Sequence, residues 1–244
     1  MQLDAPRPPR SAPGELATAL ARARDDLGHR PAVTVLGLER RDEQGFASLA
    51  QWAAKGAHLL ELDLMLEPGD RLAVDLAPGW PLVAVSLAAW WAGVAIDLDG
   101  TAAVAVVQEG RTAPTTAEDV LWVGDAVDGS PTADAAGEAW ASAVQSFPDQ
   151  PPPPRAAADL PAIVTDERQL TQAEVLTAAM SLAGDSGTLG IDRDTQLPAE
   201  LLLAALAVRP LLTGRPTVLL RPGVDRATAA GEKVTFWLPP VLQP

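Results

Sequence analysis

Apolar positions along this chain fall into blocks of two kinds. One kind recurs every three to four residues, as on one face of a helix. Leu16, Ala19, Leu20, Ala23 and Leu27 do so within Gly14–Leu27, and Leu49, Trp52, Ala53, Leu59 and Leu60 within Ser48–Glu61, where Ser48 reads as the N-cap. The other kind is a short run: Ala32–Leu36, Arg71–Leu76, Ala102–Val107, Val120–Val123, Ala162–Val164, Thr217–Leu220 and Val234–Leu238. Several of these runs lack alternation, as strands buried on both faces do. Further helices are predicted over Asp134–Gln145, Thr171–Ala183 and Leu201–Leu212, with Thr171 and Glu174 as a capping box. The polar stretch Gly37–Gly45 should turn the first strand toward a short partner around Phe46, and Pro68-Gly69-Asp70 is a turn. Strands alternating with helices predict an α/β fold, with a mostly parallel sheet or sheets flanked by helices.

The longest uncharged stretch is Trp80–Ile96, interrupted by one serine. It is at the short limit for a membrane span, and no Lys or Arg stands close on either side to orient one. Pro81 suits a first helical turn and Gly93 lies near the end, so the stretch reads as a helix buried on most sides. Trp52, Trp90 and Trp91 sit in apolar helical patterns and read as core.

Residues 1–14, rich in Pro and Arg, read as a mobile tail. Residues 15–146 form a first α/β lobe. Residues 147–155, with four consecutive prolines, form a stiff connector to a second lobe of the same domain, 156–244. The 244 residues are 48% hydrophobic and carry a formal net charge of −14. That size supports a real core. The charge excludes nonspecific nucleic-acid or anionic-lipid binding and disfavours a polyphosphate site. There are no cysteines, so disulfides, thiol catalysis and Cys-ligated metals are excluded. The N-terminus has no apolar leader segment, and the expected location is the cytoplasm.

Candidate chemistry is sparse. Gly184-Asp-Ser-Gly187 matches a serine-protease nucleophile tetrad, but His29 and His58 stand in unrelated contexts and a helix-terminating turn explains it better. Asp97/Asp99 and Asp192/Asp194 are paired carboxylates without a calcium-loop spacing, and they read as solvated turns. No residue is assigned a catalytic, cofactor-binding or metal-binding role.

Several stretches, taken in order, carry a resemblance. They are Arg30–Thr34, Phe46–Leu60, Leu66–Val74 with its Pro-Gly-Asp-Arg turn, Trp80–Ala95, Leu160–Ala179, Asp192–Pro198, and Pro210–Gly214 with Val218–Leu220. Together they resemble the first part of the N-terminal domain of adenylate-forming enzymes, the superfamily of acyl-CoA synthetases and AMP-dependent ligases. They are also similar to a short actinobacterial family of this kind. The resemblance implies an α/β domain in which a strand runs into a Ser/Thr/Gly-rich loop ending in lysine, which cradles the ATP phosphates. Here Ala162–Val164 meets Thr165-Asp-Glu-Arg-Gln-Leu170 directly, and Asp166 and Glu167 stand near where phosphates would sit. The superfamily's aromatic-His step would fall near Pro198-Ala199-Glu200, which has neither residue type, and Lys233 does not resemble its catalytic lysine. The expectation is therefore a shortened, non-catalytic relative without a cofactor, acting as a binding or interaction module. The alternative is an enzyme or subunit completed by another chain. A homodimer or a protein partner is expected to cover an edge at Val234–Leu238; nucleic acid and membrane are not expected partners.

Overall fold

The computed structural model describes residues 15–126, 128–131, 137–182, 187–192 and 194–239. The 1–14 tail and Gly184, Asp185 and Ser186 lie outside them. Helix α1 (Leu16–Leu27) lays the predicted face of Leu16, Ala19, Leu20 and Ala23 into the core. Strand β1 (Pro31–Leu36) then turns back antiparallel into β2 (Arg41–Gly45), and α2 (Phe46–His58) follows at once. Two expectations are corrected here. Half of the polar turn is strand, because at a sheet edge the ladder with β1 suffices without apolar side chains. The helix starts at Phe46, which is fully buried, behind an extended Gly45; the Ser48 hydroxyl donates to the Gln44 side chain and caps nothing.

A π-helical turn, Leu59–Asp63, ends α2 and leads to β3 (Arg71–Asp75). The apolar stretch that follows is two elements. Helix α3 (Trp80–Ala92) stops at Gly93, whose φ of 78° suits only glycine comfortably, and β4 (Ala95–Asp97) then pairs parallel to β3. No polar break marked that boundary in the sequence. Nearly every residue of α3 is buried, and its one hydroxyl, on Ser86, donates to the Leu82 carbonyl at 2.7 Å. No helix among the described residues is long and apolar enough to cross a membrane.

Strands β5 (Val104–Gln108) and β6 (Asp119–Val123) follow as predicted, give or take a residue or two. The helix expected over Asp134–Gln145 is not one element. Residues 132–136 lie outside the described set, Gly137 has φ 130°, and β7 (Glu138–Ala139) pairs with β6 before a short α4 (Trp140–Ala143) begins. Strand β8 (Pro161–Val164) folds back into β9 (Gln169–Thr171), which the pattern missed because it is short and polar. Helix α5 (Gln172–Ser181) opens on the predicted capping box of Thr171 and Glu174. Strand β10 (Thr188–Ile191) was also missed. Its Gly190 looks like a break, yet the Trp237 ring lies so close that a Cβ there would meet it at 2.3 Å. Helix α6 (Ala199–Leu203), a π turn at Ala204–Val208 and α7 (Arg209–Thr213) run together, and β11 (Thr217–Leu220) and β12 (Val234–Trp237) complete the described chain.

Two sheets result. One has five strands in the order β12-β10-β11-β1-β2, and the other has seven in the order β7-β6-β5-β3-β4-β8-β9. All pairings are parallel except the hairpins β1–β2 and β8–β9. One continuous apolar core takes in Val33 and Leu189 from the first sheet and Leu72 and Ile163 from the second, with α2, α3 and α5 between them. The proline-rich segment is strapped across this helical layer. Lys55 Nζ donates to the Phe147 carbonyl at 2.8 Å, His58 Nε2 to that of Gln150 at 2.9 Å, and Trp91 Nε1 to that of Pro152 at 2.9 Å. His58 therefore has a structural post, and His29 is exposed.

Candidate functional site

In open α/β sheets ligands bind beyond the carboxyl ends of the strands. Here β10 ends at Ile191-Asp192 and β11 runs out into Leu220-Arg221-Pro222. These ends face the turn that leaves β3, at Ala77-Pro78, across a cleft of about 360 Å³. Leu197 and Leu202, on the approach to α6 and within it, form another wall. The lining is mostly aliphatic. Its distinct polar feature is Thr195, whose Oγ1 is buried without a hydrogen-bond partner. A hydroxyl left so inside a protein costs free energy until something pairs with it.

The cations around the cleft are already matched. Arg221 Nη1 lies 3.3 Å from Asp125 Oδ1, and Arg226 Nε lies 2.8 Å from Asp192 Oδ2 with its guanidinium 4.8 Å over the Trp237 ring. Arg168 pairs with Glu200 at the start of α6. Arg168 belongs to the β8–β9 turn, where the resemblance implies a phosphate loop. That turn is tight: Thr165 N donates to the Arg168 carbonyl at 2.9 Å, leaving only Asp166 and Glu167 between, both exposed. The Asp166 amide donates to the Asp99 carboxylate, so even this amide is not directed to a ligand.

The paired carboxylates separate into different roles. Asp97 is buried and accepts from the amides of Asp99, Gly100 and Thr101 and from the Thr101 hydroxyl at 2.7 Å. Burial pushes its pKa up, but the Thr101 hydroxyl and the amides outweigh this and hold it below the usual carboxylate range. It builds the turn as expected but is buried, where a solvated carboxylate was expected; Asp99 beside it is exposed, as expected. Asp192 lines the cleft but is bound to Arg226, and Asp194 is exposed. No group of three or more acidic or histidine side chains among the described residues is placed to hold a metal ion. Of the Gly184-Asp-Ser-Gly187 tetrad only Gly187 is described. Sequence reasoning missed the cleft itself. Thr195 and Leu197 stand between β10, to which no element was assigned, and a helix whose start was placed at Leu201. A Thr-Gln-Leu-Pro segment carries no signal without that strand.

No protein-family model matches the chain. A protein of Mycobacterium tuberculosis is 33% identical over 95 residues, 39% of this chain and 39% of its own. Solved structures extend the likeness to nearly the whole chain. The acyl-CoA synthetase of Brucella canis superposes with a TM-score of 0.70 at 18% identity, covering 95% of this chain and 48% of its own. The N-terminal domain of FACL13 from Mycobacterium tuberculosis gives 0.67 at 16%, covering 91% and 62%. The fatty acyl-adenylate ligase of L. pneumophila, solved with acyl adenylate and pyrophosphate, gives 0.64 at 16%, covering 92% and 44%. The fold is therefore that of the acyl-CoA synthetase N-terminal domain, as the resemblance implied, and the chain spans about half the length of the full synthetases it matches.

Proposed function

We propose that this chain is a non-catalytic binding module on the acyl-CoA synthetase N-terminal fold, holding an apolar small molecule in the cleft between Ile191, Leu202 and Arg221. The observation that carries the reading is the lining of this cleft at the strand ends, mostly aliphatic through Ile191, Leu197, Leu202, Leu219 and Leu220. Such a lining suits a ligand with an apolar body. The neighbouring arginines support it from the other side, since each already faces a carboxylate. A polyphosphate beside Asp166 and Glu167 would meet repulsion of about 1–4 kcal/mol per close charge pair. The proposal treats 15–146 and 156–244 as lobes of one domain joined by 147–155, which the continuous core supports.

Calorimetric titration is expected to give no heat with ATP or AMP, with or without magnesium, and saturable heat with a medium-chain fatty acid or alcohol. Leu202→Trp, which fills the cleft, should remove the second signal. Micromolar ATP binding, or pyrophosphate exchange with any carboxylic acid, overturns the reading in favour of the alternative, an enzyme or subunit completed by another chain. One observation favours that alternative: neighbours covering more than nine-tenths of this chain are synthetases and ligases of about twice its span.

The proposal includes a second copy in the cytoplasm. β12 is an edge strand carrying Val234, Phe236 and Trp237, none fully buried. Such edges recruit another strand. Light scattering at micromolar concentration is expected to give twice the 25.4 kDa mass of the chain. A strict monomer sinks this part.

A further inference from the structure

The strap of residues 147–155 joins neither sheet, and its four prolines have no N–H to donate. Its Arg155 amide does reach the helical layer, at the Trp91 carbonyl 2.9 Å away. Side chains of that layer do most of the holding. Lys55, His58 and Glu61, spaced by three along α2 and the π turn that ends it, share one face. Lys55 Nζ donates to the Phe147 carbonyl and lies 3.1 Å from Asp149 Oδ1. The His58 ring stacks on Phe147 at a centroid distance of 6.1 Å, and its Nε2 donates to the Gln150 carbonyl. Glu61 Oε2 faces Arg155 Nε at 3.6 Å. Trp91, 6% exposed, lies beneath and donates its indole N–H to the Pro152 carbonyl.

Glu61 is the weak member of this set. Its side chain is 8% exposed, its contact with Arg155 is longer than a hydrogen bond, and its Oε1 is buried without a hydrogen-bond partner. A carboxylate so placed is costly while charged and much less so once protonated. Burial pushes the Glu61 pKa above its ordinary value, and the charges of Arg155 on the strap and His58 on α2 pull it back only in part. Helix α3, which also packs against this turn, carries no charged side chain. When the strap lifts, Glu61 meets water and its ordinary pKa returns. The closed strap therefore holds the Glu61 proton more tightly than the open one. Closure is favoured below the raised pKa and weakens as pH rises through it. His58 does not reverse this, because Nε2 can donate to Gln150 in either charge state. We propose that the strap is a pH-dependent cover on the α2–α3 layer, closed over Trp91 when Glu61 is neutral and loosened when Glu61 is charged.

The test reads solvent exchange of the Trp91 indole N–H by NMR on the full chain, relative to free tryptophan at the same pH. Protection at pH 5 is expected to exceed that at pH 7.5 by about threefold, the scale of one weakly paired charge. Glu61→Gln, a neutral mimic, should show the higher protection at both pH values. Arg155→Gln removes the cation that opposes the shift and should widen the difference. Arg155 is 43% exposed, so this variant keeps the test decisive should Glu61→Gln not fold. Equal protection at the two pH values, or lower protection at pH 5, overturns the proposal. So does a pH dependence that persists in Glu61→Gln or narrows in Arg155→Gln.

Discussion

Replacing Trp90 with alanine is expected to lower stability by about 3–5 kcal/mol, read from the denaturant midpoint at constant slope. The residue is 0% exposed in the last turn of α3. Its ring fills the space between that helix and the seven-stranded sheet, and Nε1 donates to the Ala162 carbonyl in β8 at 2.8 Å. The Trp90 carbonyl accepts from Gln172 Nε2 at 3.1 Å, so helix, strand and the first residue of α5 meet at one position. Alanine there removes a large ring that rigid neighbours on a strand cannot close over, and it takes the donor from a buried carbonyl. Trp90→Phe separates the two effects. It keeps most of the volume and loses only the N–H, so a cost of about 1–3 kcal/mol is expected. A midpoint that barely moves in Trp90→Ala would mean that α3 does not pack against β8 as described.

That position also shows how far the fold was legible in the sequence. A run with apolar residues on every side of a helix has one comfortable place in an α/β protein, between other elements, and Pro81 and Gly93 mark its ends. Strands β1, β3, β5, β8 and β11 were legible for the same reason, since their burial on both faces leaves unbroken apolar runs. The failures share a cause as well. β2, β7 and β9 lie at sheet edges or hairpins, where backbone pairing forms the strand and side chains are free to be polar. β10 was hidden by Gly190, which is required by the Trp237 ring in the neighbouring strand and not by a turn. The candidate site depended on that missing strand. The absent phosphate loop was legible as a deletion in the sequence. The tight turn that takes its place, and the Arg168–Glu200 pair beside it, needed the tertiary structure, because the two residues are far apart along the chain.

Arg209 carries the other large expected effect. It opens α7 and is 0% exposed, an arginine where the helical pattern of Leu201–Leu212 suggests only aliphatic contacts. Its Nε donates to the Leu182 carbonyl at the end of α5 at 3.2 Å, and Nη2 to the Gly187 carbonyl at 2.7 Å. The guanidinium lies 5.1 Å from the Phe236 ring centroid in β12. One side chain thus joins the end of α5, the entry to β10 and the edge strand. Arg209→Ala should cost about 3–5 kcal/mol, since it leaves a cavity and two carbonyls without these donors. Lysine is not a substitute, because its point charge cannot reach both carbonyls with the geometry of a planar fork, and Arg209→Lys should lose more than half of that stability. Methionine decides what the charge contributes. It fills much of the volume and removes the burden of a buried cation, which in other folds can cost as much as its pairing returns. If the interactions of Arg209 outweigh that burden, Arg209→Met falls close to Arg209→Ala in thermal midpoint. If it matches the parent chain, the arginine is kept at no gain in stability, and its interactions only offset its own desolvation.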